Sequence, residues 1–137
     1  MKLAIVRSEF NSAITAKMEK AALKNAKKNG FDETLVLRVP GAFDMPLAIK
    51  KAMETPTVDA IAVVGAIIKG DTKHDEVIAF VLAKTIHEME LKYGKPIGLG
   101  IIGPGVTWDQ ADERAEEYAQ RAVEAAKQLL QMQKRGF

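Results

Sequence analysis

AIAVVGAIIKGDTKHDEV, residues 60–77, is the stretch that decides the fold. Its first part, Ala60 to Ile68, is almost entirely apolar and rich in β-branched residues, which is typical of a strand covered on both faces. The polar turn Gly70 to His74 follows. Asp75 to Tyr93 then carries apolar residues at helical spacing, namely Val77, Ile78, Val81, Leu82, Ile86 and Met89. The stretch therefore predicts a central strand of a parallel sheet, a turn at its carboxyl end, and a helix that packs on the sheet.

The rest of the chain repeats this alternation of a short apolar run and a longer periodic segment. Further strands are predicted at Leu3–Val6, Thr34–Leu37 and Ile97–Ile102, and further helices at Asn11–Asn29, Asp44–Glu54 and Thr107–Lys134. Strands that alternate with helices favour a parallel sheet with right-handed crossovers. We therefore expect an α/β protein, a flavodoxin-like three-layer α/β/α sandwich with a four-stranded parallel sheet in the order 2-1-3-4, as one domain over residues 1–137.

Residues at the predicted helix ends fit these boundaries. Gly30 and Gly94 suit helix C-termini, whereas Asn11, Asp44 and Thr107 suit N-caps. The last helix has a face of small side chains that suits close packing against another helix, formed by Ala111, Ala115, Ala119, Ala122 and Ala126. The tail from Gln131 to Phe137 is expected to fray.

The bulk composition excludes several classes of protein. With 47% apolar and 28% charged residues the chain is globular, and the absence of cysteine excludes disulfides and thiolate metal sites. Twenty Lys and Arg against 18 Asp and Glu give a net charge of +2, which is too balanced for a nucleic-acid partner. The first residues lack the apolar stretch of a secretory signal, and no segment approaches the roughly 20 apolar residues that span a bilayer. We expect a cytoplasmic protein without a membrane partner.

The connections that follow the strands carry most of the unusual residues. Residues 8–11, 39–44, 65–74 and 103–108 contain glycines, prolines, aromatics and one of the two histidines, whereas the helix-to-strand turns are plain. Open parallel sheets bind ligands beyond the carboxyl ends of their strands. The asymmetry therefore predicts a binding site at that edge.

The turn Gly70 to His74 has features of an active site for a phosphorylated substrate. Gly70 permits close approach of the backbone to a ligand, and free N–H groups at the helix start, with the Thr72 hydroxyl, suit a phosphate. His74 suits proton transfer because the ordinary pKa of histidine lies near 6.5. An ordinary turn with a solvated histidine explains the same residues about equally well. Asp71 is unfavourable beside a phosphate, and its spacing does not explain it.

Other candidates at this edge also have ordinary explanations. A flat heterocycle could stack on Phe10 or Phe43, although packing in the core or in a lid is the commoner role of a single aromatic. Arg114 suits bidentate recognition of a phosphate, although a lone helical arginine is usually solvated. His87 is predicted to be a surface residue, too far from His74 in sequence for a convincing metal site.

Four segments of the chain resemble the 6,7-dimethyl-8-ribityllumazine synthase family of riboflavin biosynthesis. Phe10-Asn11 follows the first strand, as in that family. VPGAFDMP, residues 39–46, is similar to its VPGAFE-x-P motif with Asp44 in place of the usual Glu. GAIIKGDTKHDEV, residues 65–77, and QADER, residues 110–114, are similar to its histidine and arginine motifs. The matches occur in order, with compatible spacing, over nearly the whole chain, and the short form resembles the archaeal members.

The resemblance implies a condensation reaction. The amine of a ribitylamino-pyrimidinedione attacks the ketone of 3,4-dihydroxy-2-butanone 4-phosphate, phosphate and water leave, and ring closure gives the lumazine. No metal or organic cofactor is implied, because holding two substrates side by side supplies much of the acceleration.

The resemblance also implies roles for individual residues. Phe10 stacks on the pyrimidine, and Leu99 stands near a position where many relatives carry a stacking phenylalanine. The ribityl chain and ring edge are held by Asn11, Ala42, Phe43 and Asp44, and the ring is bound by backbone groups of Ile67 and Ile68. The phosphate is held by Gly70, Asp71 and Thr72 with Arg114 as its counter-ion. His74 transfers protons and is oriented by Glu113.

In the family the site lies between neighbouring subunits of a homopentamer, so Arg114 is expected to reach the phosphate from the next subunit. The alanine-rich last helix and the helix carrying Val81 and Leu82 are expected to supply interfaces, and a shell of sixty subunits is a further option. Two alternatives remain open at this point. One is an archaeal-type riboflavin synthase, and the other is a non-catalytic shell-forming or flavin-binding module of the same fold.

Overall fold

A computed structural model of the protein describes residues 1–136. The elements alternate along the chain as strands β1 to β4 and helices α1 to α4. They are β1 (Lys2–Ser8), α1 (Ser12–Lys28), β2 (Glu33–Val39), α2 (Met45–Glu54), β3 (Ala60–Ile68), α3 (His74–Tyr93), β4 (Ile97–Val106) and α4 (Trp108–Lys134). A single 3-10 turn, Ala42–Asp44, precedes α2.

The four strands form one parallel sheet in the predicted order β2-β1-β3-β4. Ser8 pairs with Val39 on one side of β1, and Leu3 pairs with Ala60 on the other. The central strand β3 has the bounds that its apolar run predicted, and nearly all of it is buried. It is apolar throughout because both of its faces are covered by helices.

The helices form two layers around the sheet, because successive side chains of a strand point to opposite faces. α1 and α4 pack on one face, over a core that includes Ile5 and Val64. α2 and α3 pack on the other face, over Val6 and Val63. The flavodoxin-like three-layer sandwich is therefore confirmed, and all four strand-to-helix connections leave the same edge of the sheet.

β4 is longer than predicted and contains an irregular segment. The prediction ended this strand at Ile102, whereas pairing with β3 continues to Val106. Ala66 pairs with Ile102 and Ile68 pairs with Val106, so an advance of two residues along β3 corresponds to an advance of four along β4. Residues 103–105, predicted as part of a loop, are thus a bulge within the sheet.

The helix ends agree with the predicted boundaries, but two of the three predicted N-caps do not cap. Thr107 Oγ1 accepts a hydrogen bond from the Gln110 N–H at 3.2 Å, and the Gln110 side chain accepts from the Thr107 N–H. Asn11 and Asp44 stand at N-cap positions without side-chain caps. The Asn11 side chain instead bonds to the end of β3, and that of Asp44 bonds within its own connection, as described below. Gly30 and Gly94 have φ angles of 82° and 68°, as expected where glycine ends a helix.

The prediction that the tail frays from Gln131 is wrong for its first four residues, because α4 continues to Lys134. Gln133 Nε2 donates a hydrogen bond to the Gly94 carbonyl at 2.7 Å, which joins the last turn of α4 to the end of α3. Phe137 lies outside the described residues.

The alanine face of α4 is buried within the chain, so these alanines are not available to a subunit interface, whereas an interface made by the exposed side of α4 stays a prediction. All five of its alanines have no solvent exposure. A Cβ placed on Gly98 of β4 would lie 1.7 Å from the Ala122 carbonyl oxygen, so the helix backbone rests directly on the strand. Small residues on both elements are what allow this approach.

α3 covers the sheet with only part of its predicted apolar stripe. Leu82 and Ile86 are buried in the chain, so Leu82 does not contribute to the subunit interface that is predicted for this helix. Val77, Phe80 and Val81 are about half exposed or more. α3 therefore has two apolar faces, one on the sheet and one towards solvent. None of the helices within residues 1–136 has the length and apolar character needed to cross a membrane.

Candidate active site

A pocket of about 250 Å³ lies at the carboxyl edge of the sheet, between the first three strand-to-helix connections and the start of α3. Eight residues predicted for the site line it, namely Phe10, Asn11, Ala42, Phe43, Ile67, Ile68, Gly70 and His74. Four residues that the sequence had not singled out complete the lining, namely Gly41, Ala66, Asp75 and Ile78. The pocket is mostly apolar with a few convergent polar groups, as small-molecule sites usually are.

Three larger grooves occur elsewhere among residues 1–136, but they lack this combination. One, of about 400 Å³, lies between α1 and α4 and is lined chiefly by lysines of α1. A second, of about 730 Å³, runs along α2 and includes Asp44, and a third, of about 560 Å³, lies between the end of α1 and α4. None of the three contains a histidine or an aromatic ring. The chemistry therefore favours the smaller pocket.

The first connection is held by backbone hydrogen bonds to the second. The N–H groups of Glu9 and Phe10 donate to the Val39 and Pro40 carbonyls, both at 2.8 Å. Phe10 is 72% exposed, so it is not a core residue despite its aromatic ring. Its ring is free to meet a planar ligand.

Asn11 follows Phe10 with a φ angle of 62°, in the left-handed region that asparagine tolerates better than most residues. Its Nδ2 donates to the Ala66 carbonyl at 3.0 Å. This bond reaches from the first connection to the end of β3. It fixes two walls of the pocket against each other, which explains why the side chain does not cap α1.

The second connection is shaped by Asp44. Its Oδ2 accepts a hydrogen bond from the Gly41 N–H at 3.0 Å, which closes the turn that presents Ala42 and Phe43 to the pocket. Asp44 itself does not line the pocket. Phe43 is 54% exposed, and with Phe10 it leaves two aromatic rings available at the pocket.

The third connection, residues 69–73, is exposed and leads into α3. The Lys69 N–H donates to the Val106 carbonyl at 2.8 Å, so the turn begins against the end of β4. Thr72 Oγ1 accepts a hydrogen bond from the His74 N–H at 3.4 Å, and α3 starts at His74. His74 is thus exposed at a helix N-terminus, where backbone N–H groups favour an anion.

A partly buried ionic cluster supports the site from the α1 side of the sheet. Arg7 of β1 donates to Glu19 at 3.3 Å, to Thr15 at 3.2 Å and to Ser12 at 3.1 Å. Arg38 of β2 makes two further bonds to Glu19, at 2.9 and 2.8 Å. The cluster joins the end of β1 to the start of α1, so it holds the turn that carries Phe10 and Asn11.

This cluster lowers the pKa of the Glu19 carboxyl below its usual value. The hydrogen bond from Arg38 is the largest cause, burial acts in the opposite direction, and the hydrogen bond from Arg7 lowers the pKa further. The one signal of this cluster in the sequence is a charged residue, Arg7, directly after an apolar strand run.

Six predicted site residues do not line the pocket of the single chain. Asp71 and Thr72 are exposed on the turn beside it, and Asp44 lies behind its own turn. Leu99 pairs with Val63, three positions before Ala66, which at about 3.3 Å per residue places it ~10 Å from the pocket edge. Glu113 and Arg114 are exposed on α4, which packs on the opposite face of the sheet from α3.

The pocket therefore combines two exposed aromatic rings, backbone groups at the ends of strands, a histidine and a helix N-terminus. These parts suit an α/β protein that binds a planar ligand beside an anionic one. Within residues 1–136, no three histidine or carboxylate side chains are grouped as ligands for a metal ion.

Comparison with known proteins agrees with this class. The family model described as 6,7-dimethyl-8-ribityllumazine synthase matches residues 1–135. A 6,7-dimethyl-8-ribityllumazine synthase of Saccharolobus islandicus is 51% identical over 96% of this chain and 85% of its own length. One of Aeropyrum pernix is 50% identical over 98% and 92%, and one of Sulfolobus acidocaldarius is 44% identical over 98% and 85%. The chain belongs to the 6,7-dimethyl-8-ribityllumazine synthase family, a family of enzymes, and the riboflavin synthase and non-catalytic alternatives are not favoured.

Proposed function

We propose that this chain condenses 5-amino-6-(D-ribitylamino)uracil with 3,4-dihydroxy-2-butanone 4-phosphate to 6,7-dimethyl-8-ribityllumazine. The observation that carries the proposal is that eight residues of the predicted site, from three separate connections, line one pocket beside the N-terminus of α3. This geometry suits two substrates held side by side, one flat and one anionic. Family membership and relatives of about 50% identity add to it.

In this proposal the flat pyrimidinedione stacks on Phe10. Backbone groups of Ile67 and Ile68 bind the ring edge, and the turn Ala42–Phe43, shaped by Asp44, meets the ribityl chain together with Asn11. Proximity of the amine to the ketone supplies much of the acceleration, because the enzyme replaces a bimolecular encounter by a fixed geometry.

The phosphorylated substrate lies at the turn that precedes α3. Gly70, Asp71 and Thr72 surround its phosphate, where the positive end of the helix dipole favours the anion. His74, at the start of the helix, moves the proton that must leave the attacking amine and the proton that must reach the hydroxyl of the resulting carbinolamine, which departs as water to give the Schiff base.

The test is formation of the lumazine from the two purified substrates, followed by its absorbance. The wild-type chain is expected to exceed the uncatalysed background, and His74→Ala is expected to lose about 10²-fold or more of that rate. His87→Ala is the matched control, since His87 is the other histidine, exposed later on α3, and it should leave the rate unchanged. A wild-type rate equal to background would contradict the proposal.

We further propose that the site is completed by a second copy of the chain, in a homopentamer. Glu113 and Arg114 are exposed across the sheet from the pocket, so a neighbour's α4 is the proposed source of the phosphate counter-ion. The exposed Val77, Phe80 and Val81 of α3 offer an apolar surface for that neighbour. A shell of sixty subunits and a cytoplasmic location stay predictions of the sequence.

A further inference from the structure

Asp75 is a buried acid in the pocket to which neither the motifs nor the proposed reaction assigns a role. It is 7% exposed, it lines the pocket, and it directly follows His74 in the first turn of α3. Burial of a carboxylate is costly unless the charge is stabilised. The positive end of the helix dipole and a backbone donor supply that stabilisation here.

The donor belongs to the bulge of β4. Asp75 Oδ2 accepts a hydrogen bond from the Gly105 N–H at 3.0 Å. Gly105 has a φ angle of 77°, a conformation that glycine adopts without strain. The bulge, residues 103–105, therefore presents an N–H group to α3 because its backbone leaves the regular ladder.

The same bulge lies against the pocket wall. A Cβ placed on Gly103 would lie 2.2 Å from the Ile67 carbonyl oxygen, so this backbone touches that of β3. The Asp75–Gly105 bond thus connects three parts of the pocket, namely the start of α3, the bulge and the end of β3.

The segment that carries His74 has few other anchors. Within the described part of the chain, the hydrogen bonds of residues 70–74 are confined to that turn and the first turn of α3, and the bond from His74 to Thr72 is long. Among the described residues, the side chain of Asp75 therefore makes the hydrogen bond that links the first turn of this helix to the sheet.

We propose that Asp75 is a positioning residue, which sets the place of His74 relative to the Ile67–Ile68 edge by holding α3 to the β4 bulge. This inference rests on the proposed role of His74 in catalysis. It assigns the bulge a purpose as well, because a regular strand would not offer the Gly105 N–H to the helix.

Two substitutions separate this role from charge and from folding. Asp75→Ala removes the acceptor and is expected to lower kcat about tenfold or more while changing KM for the pyrimidine little, because small displacements of a reacting group are costly. Asp75→Asn keeps an acceptor oxygen for Gly105 and is expected to restore most of the rate. Glu76→Ala, at the exposed acid next in sequence, is the matched control and should leave kcat unchanged.

A double-mutant cycle shows whether Asp75 acts through His74. In a His74→Ala background, Asp75→Ala is expected to cause no further loss, since there is no imidazole left to position. An equal loss in both backgrounds would overturn the proposal and would indicate that Asp75 contacts substrate itself. If Asp75→Ala fails to fold, Asp75→Ser replaces it, because its shorter side chain retains a polar group at the helix start but does not reach Gly105.

Imidazole resonances provide a readout that does not depend on turnover. The chain has two histidines, so the signal of His87 serves as an internal reference for that of His74. Asp75→Ala should shift or broaden the His74 signal and leave the His87 signal in place, and an unchanged His74 signal would overturn the proposal. Absence of lumazine formation by the wild-type chain would instead contradict the proposed function, while the resonance test would still decide the position of His74.

Discussion

Gly70 is a residue whose identity the fold of the single chain does not explain. A Cβ at this position would meet nothing within 4 Å, and its φ lies outside the left-handed region. This contrasts with Gly98, where a Cβ would collide with α4. Since neither packing nor backbone strain requires glycine at position 70, we attribute it to close approach of the phosphorylated substrate.

Gly70→Ala should therefore separate stability from function. The free energy of unfolding is expected to stay equal or to rise by up to about 1 kcal/mol, because alanine restricts the unfolded chain. KM for the phosphorylated substrate is expected to rise about tenfold, equivalent to about 1.4 kcal/mol of lost binding. Denaturant unfolding and steady-state kinetics with each substrate varied in turn measure the two effects.

The Phe10→Leu variant is a useful comparison for Gly70→Ala, because it should raise KM for the pyrimidine and leave KM for the phosphorylated substrate nearly unchanged. If Gly70→Ala also affected only the pyrimidine, the phosphate would not lie at this turn.

At the scale of elements, the ionic cluster of Arg7, Glu19 and Arg38 joins β1 and β2 to α1 and makes stability depend on pH. The pKa of Glu19 is lowered in the folded chain relative to its ordinary value of 4.5. The unfolded chain therefore binds this proton more readily, so the stabilisation is complete above the unfolded pKa. It is lost as the pH falls through the folded pKa.

Glu19→Gln is expected to flatten the loss of unfolding free energy that the wild-type chain shows as the pH falls below the ordinary glutamate pKa of 4.5. At pH 7 the variant should be less stable by about 1–3 kcal/mol, because Arg7 stays buried with a weaker partner. Denaturant unfolding as a function of pH measures both effects. Asp32→Asn is the matched control: a hydrogen bond from the N-terminal amino group lowers the pKa of Asp32, but the residue is exposed and salt screens the pair. If the unfolding free energy of Glu19→Gln fell as steeply at low pH as that of the wild-type chain, this would contradict the role assigned to the cluster.

Much of the element order was predictable, because each element carries its own local signal. The bounds of β3 follow from one apolar run, and the N-cap at Thr107 follows from a residue type that favours that position. For Phe10 and Phe43 the core alternative is excluded only by their exposure, since the same aromatic residue fits a core or a surface equally well, and stacking on a ligand stays a prediction. The partners of Asn11 and Asp44 were missed because a side chain that suits a helix cap also suits a turn.

What could not be predicted depends on contacts between distant parts of the chain. The bond from Asp75 to Gly105 joins residues 30 positions apart, and the bulge that permits it depends on pairing with β3. The alanine face of α4 was correctly expected to pack closely, but the sequence does not say whether its partner lies in the same chain. The division into one domain over residues 1–137 stays a prediction.

At the scale of the whole molecule, the pocket and the proposed phosphate counter-ion lie on opposite faces of the sheet. The pocket opens beside α3, whereas Arg114 is exposed on α4 in the other helix layer. If the site is built by two neighbouring chains, the pocket of one chain and Arg114 of the other can meet without lying on the same face of one sheet. The exposed apolar face of α3 then has a second purpose, because covering it with another copy removes Val77 and Phe80 from water.

A mixture of two inactive variants tests this arrangement directly. His74→Ala and Arg114→Ala should each be nearly inactive alone, whereas subunits dissociated, mixed in equal amounts and reassembled should regain activity. Suppose that each site in a ring of heterologous contacts takes its histidine from one chain and its arginine from the next. After random assembly, half of the sites have an intact histidine and half have an intact arginine, so about a quarter of the sites have both. The control is a mixture of His74→Ala with the double variant His74→Ala, Arg114→Ala, which should regain nothing because every site lacks its histidine. A site built from one chain would likewise give no recovery from the first mixture, since each chain would lack one of its two groups.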